Sequence, residues 1–564
     1  MKHKNMNIQF QPNTLYYGDC LDIMANFPEN SVNLICLDPP FNSDRRYNNI
    51  FKDSGLKTEA QIKAFDDVWL WDEQSAERVQ RLKNAVANPA SRVIAGFEVL
   101  IPQSKMLSYT SYMAERLFVM HRILSDGGSI YLHCDPYASH YLKLIMDAIF
   151  NIDNYLNEIV WQRTKSHISN QYGRIHDTIL FYRKDGQHVW NPIHAEYKPE
   201  YIKKHFKNED ERGLYQPITL TGPGATQKGE SGKPWRGINP SDVGKGRHWA
   251  APRRESWPAG IEPPENYESL SVHEKLDILD EKDLIHWPKT KKGKVPRFKR
   301  YLSISHGRRI QDLITDIENV GDSTENLHFP TQKPIALYEL FIKASSNPGD
   351  VVLDPFAGCG TTVEAALING RDVIGIDILP FALRLINEHR IKLHGRDAFP
   401  VQGIPIDMDT ATQLAKTDHF KFQDWAVSLI DGFAANPKKV GDDGIDGFGM
   451  LHYKPDNMDR KAIIVQVTGA SGSQKAKYDR LHANVRNENA AMGILITLDA
   501  QNAQRNWTHT LEPVKIGVSE YPPIQCFSVE EYFRNDQDPN RILQLPSLAN
   551  PWTGKQMQPT LFDF

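Results

Sequence analysis

The chain has 564 residues, 40% hydrophobic and 24% charged, with 36 Gly and 35 Pro; this globular mixture excludes a collagen-like, coiled-coil or largely disordered protein, and the length predicts roughly three domains. The formal net charge is −4, so contact with nucleic acid has to come from local basic segments. No apolar run approaches a membrane span, the N-terminal MKHKNMNIQFQP lacks an apolar signal region, and the five cysteines are scattered without a CxxC, which predicts a cytoplasmic protein with neither a disulfide framework nor a zinc finger.

Short runs rich in Val, Ile and Leu predict buried parallel strands at Val32–Leu37, Ser129–His133, Thr178–Tyr182, Val351–Leu353 and Val373–Ile376. A helical pattern over Tyr112–Leu124 stops at Ser125-Asp126-Gly127-Gly128, a helix-end signal. This alternation predicts an α/β fold with a doubly wound, Rossmann-like sheet. Residues 1–189 and 326–395 carry the pattern. Residues 190–325, polar and rich in Gly, Pro, Trp, Lys and Arg, predict an inserted irregular domain, because compact proteins rarely carry a plain loop of that length. A linker (396–416), a separate domain (417–545) with strands at Ala462–Val467 and Gly493–Thr497, and a tail (546–564) complete the chain.

Residues 351–362 read VVLDPFAGCGTT: a strand ending at Asp354, then Phe356-x-Gly358-x-Gly360, then a helix start at Thr361 or Thr362. The glycines permit a tight turn and close approach of a ligand. The next strand ends in Asp377, an acid suited to accept hydrogen bonds from ribose hydroxyls. The loop lacks both the third glycine of a dinucleotide fingerprint and the lysine of a P-loop, so a nucleoside without phosphates, such as S-adenosylmethionine (AdoMet), fits it best.

Residues 32–41 read VNLICLDPPF. The strand delivers Asp38 to the carboxyl edge of the sheet, Pro39 and Pro40 restrict the turn and leave carbonyls free to accept, and Phe41 offers a face for stacking. These parts suit an exocyclic nucleobase amine. Asp38 and the Pro39 carbonyl can accept its hydrogens and free its lone pair for attack on a methyl donor, while the carboxylate stabilises the charge that builds on nitrogen. A base in a duplex must be flipped out to be reached, and Phe41 would hold it.

Together the two motifs resemble the β group of DNA amino-methyltransferases, over roughly residues 14–395. In that family the Asp-Pro-Pro-aromatic motif precedes the target-recognition region and FxGxG follows it. The resemblance extends to Tyr17-Gly18-Asp19-Cys20, where it implies an acid near the cofactor adenine. Ser125–Tyr131 resembles the family's Pro-Gly-Gly strand turn, with Ser-Asp where Pro is more usual. Phe329–Pro334 resembles a segment lining the methionine end of the cofactor, which includes Lys333. His176–Tyr182 resembles the strand beside the flipped base. The resemblance thus implies Asp38, Pro39, Pro40 and Phe41 as catalytic residues. It implies Asp19, Lys333, Asp354, Phe356, Gly358, Gly360, Thr361 and Asp377 as AdoMet-binding residues.

It also implies double-stranded DNA as the substrate and residues 190–325 as the target reader. The basic run KTKKGKVPRFKR at 289–300 then becomes a phosphate-contacting segment through Lys289, Lys291, Lys292, Lys294, Arg297, Lys299 and Arg300. Trp235, Trp249, Trp257 and Trp287 are expected to form a small core there. Asp before the prolines resembles enzymes that modify adenine N6, with cytosine N4 as the alternative. A homodimer and a restriction or defence-system partner are also in keeping with the resemblance.

Residues 438–469, with Gly-Ile-Asp-Gly and a strand ending Gln-x-Thr, resemble a restriction-endonuclease-like domain of the PD-(D/E)xK type. That resemblance implies Asp446 and Gln466 as ligands for Mg2+ and a lysine that positions water. Thr468 stands at the lysine position, with Lys461 and Lys475 as the candidates to replace it. A domain that contacts DNA or protein without cutting is the expectation, and a bifunctional restriction–modification enzyme is the alternative.

Overall fold

The computed structural model describes residues 8–40, 69–167, 170–224, 229–258, 260–288, 295–304, 307–321, 323–327, 329, 332–430, 433–436, 444–452, 460–469, 474–500, 511–516, 519–535, 539 and 542–546. The chain divides into two compact units, one of Met1–Asn191 with Asp312–Phe564 and one of Pro192–Gln311.

In the first unit, nine strands among the described residues form one sheet: β1 (Thr14–Tyr17), β2 (Val32–Leu37), β3 (Leu124–Cys134), β4 (Tyr155–Gln162), β5 (His176–Arg183), β6 (Leu313–Ile314), β7 (Val351–Asp354), β8 (Asp372–Asp377) and β9 (Val401–Gln402). Their order is β6-β4-β5-β3-β2-β7-β8-β1-β9. Only β5 runs antiparallel to its neighbours. Strands from both ends of the sequence interleave, and this places β2 directly beside β7, with Leu34 opposite Val352 and Ile35 opposite Leu353.

Both faces of the sheet are buried. Ile35 and Leu37 pack into one apolar cluster, and Leu34 and Cys36 into the other, the two-residue alternation of a strand covered on both sides. The helices α1 (Cys20–Met24), α2 (Lys105–Ile123), α3 (Ser139–Phe150), α4 (Ile335–Ser345), α5 (Thr361–Ile368) and α6 (Pro380–Ile386) accompany it. Helix α2 starts seven residues before its apolar pattern, because the Ser104 side chain caps it by accepting from Leu107 N. The Ser125–Gly128 segment, read as a turn, already belongs to β3.

The same unit contains a second sheet of β10 (Phe433–Ala435), β11 (Gly447–His452), β12 (Arg460–Thr468), β13 (Met492–Thr497) and β14 (Ile524–Ser528), in that order. Its first two pairings are antiparallel and its last two parallel. Helix α7 (His419–Ser428) joins it to the first sheet: Tyr17 Oη donates to Lys421 O at 3.3 Å, and Arg384 donates to Ser428 O. Helix α8 (Lys475–Asn487) connects β12 to β13.

The second unit is built on an antiparallel sheet of Ile285–His286, Arg297–Tyr301, Gly213–Thr219 and Asn208–Asp210. Trp235, Trp249 and Trp257 are buried in its core with Tyr267 and Phe298. Trp287 is exposed in part and stacks on Trp235, centroids 5.7 Å apart. Among the described residues no helix is long and apolar enough to cross a membrane.

Candidate active site

The strand pairing brings the two sequence motifs to one edge of the sheet. Asp38 follows β2, Asp354 ends β7 and Asp377 ends β8, on three adjacent parallel strands. Open α/β sheets bind ligands at this carboxyl edge. Asn33 Oδ1 accepts from Val351 N at 2.9 Å and ties β2 to β7.

Asp38 is half-buried, Pro39 buried and Pro40 exposed; Phe41 lies outside the described residues. Lys333 Nζ donates to Asp38 Oδ2 at 2.5 Å. The Lys333 carbonyl in turn accepts from Thr361 Oγ1, at the first residue of α5, at 3.2 Å. Lys333, read as a cofactor residue, therefore links the Asp-Pro-Pro loop to the glycine loop.

The glycine loop is held by its own acids. Asp354 Oδ1 accepts from Phe356 N at 3.0 Å, and Asp377 accepts from Gly358 N at 2.8 Å and from Leu379 N at 2.9 Å. Burial pushes the Asp354 carboxyl up to about 7, against hydrogen bonds from Thr362 and Phe356 N and with help from the charges of Asp38 and Asp377. Burial likewise pushes Asp377 up to about 6. Gly358 (φ +49°) and Gly360 (φ +79°) adopt the left-handed conformation, and Gly360 starts α5 without a side-chain cap, which leaves main-chain N–H groups at the helix start for a ligand.

The donor set fits AdoMet. Asp354 and Asp377 offer carboxylate acceptors for hydroxyls and negative charge for a sulfonium, and the loop carries no cationic phosphate clamp. Asp19 reaches the same edge, since Tyr17 lies opposite Asp377 and Gly18 N donates to Asp377 O at 3.0 Å. Its carboxylate caps α1 through Leu21 N and pairs with buried Arg116, whose guanidinium lies 3.2 Å from the Tyr112 ring centroid.

Other residues at this edge extend the site, among them one from the His176–Tyr182 segment. Asp177, buried at 3% exposure, pairs with His133 Nε2 at 3.2 Å and Arg163 Nε at 3.3 Å. Burial opposes its charge, but the hydrogen bond and charge of His133, with the charges of Lys333 and Arg163, outweigh it and hold the carboxyl below its ordinary range. Asp135, at the end of β3, is pushed up by burial. Buried Arg390, in a π-helical turn after α6, donates to the Cys359 carbonyl at 3.1 Å and pairs with Glu364, clamping the glycine loop from behind. Nothing in the local sequence pattern announces these long-range partners.

Two other sets of expected residues lie elsewhere. Lys289, Lys291, Lys292 and Lys294 lie outside the described residues. Arg297 is exposed, and Arg300 Nη2 donates to Gln216 Oε1 at 2.5 Å. Lys299 corrects the expectation of a basic run contacting phosphates throughout: it is buried, with Nζ 3.0 Å from both Asp210 and Asp283, whose carboxylates cover it.

In the second sheet, Asp446 Oδ1 accepts from Gln423 Nε2 at 2.6 Å and Oδ2 from Val467 N at 2.7 Å. Gln466 is fully buried, and the Thr468 hydroxyl donates to Gln474 at 3.1 Å. Lys461 bonds Asn489, and Lys475 pairs with Asp479. Among the described residues no group of three acidic, His or Cys side chains is placed to hold a metal. Asp446 is engaged by Gln423 and Val467 N, while the buried side-chain atoms of Gln466 have no hydrogen-bond partner among the described residues.

The chain is 31% identical over 282 residues to the Type II methyltransferase M.EcaI of Enterobacter cloacae, covering 50% of this chain and 56% of that one. It is 26% identical over 381 residues to the Type III restriction-modification enzyme StyLTI Mod subunit of Salmonella typhimurium, covering 64% and 50%. It thus spans about half the length of these curated relatives. The solved PvuII DNA methyltransferase (cytosine-N4-specific) is 12% identical, with a TM-score of 0.31 over 67% of this chain and 87% of that one. The sequence profile of the N6/N4 DNA methylase family matches residues 32–388, a span that contains Asp38, Lys333 and the glycine loop, and the chain belongs to that family.

Proposed function

We propose that this protein transfers a methyl group from AdoMet to adenine N6 of a flipped base in double-stranded DNA. The observation that carries the reading is the adjacency of β2 and β7, which sets Asp38 and the Phe356–Gly360 loop at one edge, bridged by Lys333. AdoMet supplies an electrophilic methyl carbon on a cationic sulfur. Asp354, Asp377 and the start of α5 bind and orient it. Asp38 and the Pro39 carbonyl accept the hydrogens of the substrate amine and turn its lone pair toward the methyl carbon. The substrate nitrogen forms the new C–N bond, the C–S electron pair leaves with sulfur, and the surplus nitrogen proton passes to water. Asp38 stabilises the positive charge on nitrogen as the bond forms.

The Pro192–Gln311 unit is the proposed target reader, with Arg297 and Arg300 as its described basic contacts and Lys299 as internal structure. The 417–545 segment is proposed to bind without cutting, since Asp446 is engaged internally and Thr468 supplies no base. The test is incubation of purified protein with plasmid and methyl-labelled AdoMet, followed by digestion to nucleosides. Label in N6-methyl-2′-deoxyadenosine supports the reading; label in N4-methyl-2′-deoxycytidine, or none, overturns it. A parallel incubation with Mg2+ is expected to leave the plasmid uncut.

A further inference from the structure

Helix α7 is bonded at both ends to the elements that carry the cofactor edge. Tyr17, the last residue of β1, is in register with Asp377 at the tip of β8. Its hydroxyl donates to the Lys421 carbonyl, in the first turn of α7, at 3.3 Å. Arg384, in the helix that follows Asp377, donates to the carbonyl of Ser428, the last residue of α7. Between these ends, Gln423 Nε2 donates to Asp446 Oδ1 at 2.6 Å, and Asp446 Oδ2 accepts from Val467 N of β12 at 2.7 Å. Phe422, Trp425 and Ala426 of α7 are buried in the core of the second sheet. Ile404, two residues after β9, packs against the cores of both sheets.

We propose that the 417–545 segment sets the AdoMet affinity by holding the tips of β1 and β8 through α7, with Tyr17 and Gln423 as positioning residues. The proposal rests on the methyl-transfer reading and deepens it. Asp377 has to keep one place to accept from Gly358 N and Leu379 N and still offer its carboxylate to a ligand. On the inner side β8 is supported by β7 and the body of the sheet. On the outer side it is supported by β1, a strand of four residues, and beyond that by the two residues of β9. Strand ends this short open readily when nothing holds them. Acceptors that wander must be ordered when the ligand binds, and the lost freedom weakens affinity. Helix α7 ties the outer strand to a second hydrophobic core, so the edge is ordered before the ligand arrives. Asp446 anchors that helix to its own sheet.

The test is calorimetric titration of AdoMet into the full chain as wild type, Tyr17→Phe, Gln423→Met and the double variant, with hydrogen exchange of wild-type amides read with and without AdoMet. Each single variant is expected to weaken AdoMet binding about threefold or more, the size of one lost hydrogen bond. The double variant is expected to lose less than the product of the two, because both act through one helix. The coupling is reciprocal, so AdoMet is expected to slow exchange in α7 by about threefold or more, and by less in β13 inside the second sheet. Wild-type affinity in both folded single variants, multiplicative losses, or equal slowing in α7 and β13 overturns the proposal. Thermal unfolding checks folding, and lowered stability with affinity intact, the mark of a merely structural contact, also overturns it. If a variant does not fold, the exchange measurement on the wild type decides. A wild-type protein that neither binds AdoMet nor transfers a methyl group to DNA would instead overturn the underlying reading.

Discussion

Lys333 Nζ lies 2.5 Å from Asp38 Oδ2 across 295 positions of sequence. Both side chains are largely withdrawn from water, so each charge depends on the other. Lys333→Met leaves a partly buried carboxylate without its cation, a change that costs about 2–3 kcal/mol. Urea unfolding at pH 7.5 checks this; an unchanged midpoint would mean the pair contributes nothing to the fold.

Asp354 gives the fold a pH dependence of defined sign. Its folded pKa of about 7 exceeds the ordinary unfolded value near ~3.9. The folded chain therefore holds this proton more tightly, and the group's contribution to stability is present at acid pH and lost as pH rises through about 7. Asparagine at this position does not titrate. The stability of Asp354→Asn relative to wild type should rise by roughly 2 kcal/mol between pH 5 and 8, measured by denaturant unfolding at both values. A relative stability that falls or stays constant over that range contradicts the assignment.

Gly360 is required by its backbone and by its neighbour. Its φ is +79°, and an added Cβ would meet Ile386 Cγ1 at 2.6 Å. Gly360→Ala is expected to lose about 2–4 kcal/mol from left-handed strain and overpacking. It should also weaken AdoMet binding in calorimetric titration. Wild-type affinity in a folded variant would separate the loop from the cofactor.

Arg297 and Lys299 lie two residues apart on the same face of one strand, yet one is exposed and the other is covered by Asp210 and Asp283. Under the proposed DNA contact, Arg297→Ala lowers the slope of log affinity against log salt by about one. Lys299→Met leaves that slope unchanged but destabilises the Pro192–Gln311 unit by about 1–2 kcal/mol, a figure reduced by the exposure of Asp283. Fluorescence anisotropy over a salt series, with thermal unfolding, reads both.

Much of the central sheet was legible because parallel strands buried on both faces are continuous apolar runs: Val32–Leu37 coincides with β2, and Val351–Leu353 misses only Asp354 of β7. The placement of both motifs at strand ends followed from the same runs. The start of α2 was not legible, because it is set by the cap at Ser104 rather than by apolar spacing. Lys299 was misread because a run of basic residues resembles a solvated stripe, and the carboxylates that cover it, Asp210 and Asp283, come from other segments of the chain. The sharing of Lys333 with Asp38, and the His133–Asp177–Arg163 group, depend on side chains far apart in sequence, which a linear pattern does not encode.

The most direct measurement pairs methyl transfer with cofactor binding in Asp38→Ala. If the two loops form one site with divided tasks, labelled methyl transfer to DNA falls to background while AdoMet binds within about threefold of the wild-type affinity, since Asp38 stabilises the transition state and not the bound cofactor. Transfer at close to the wild-type rate would contradict the account.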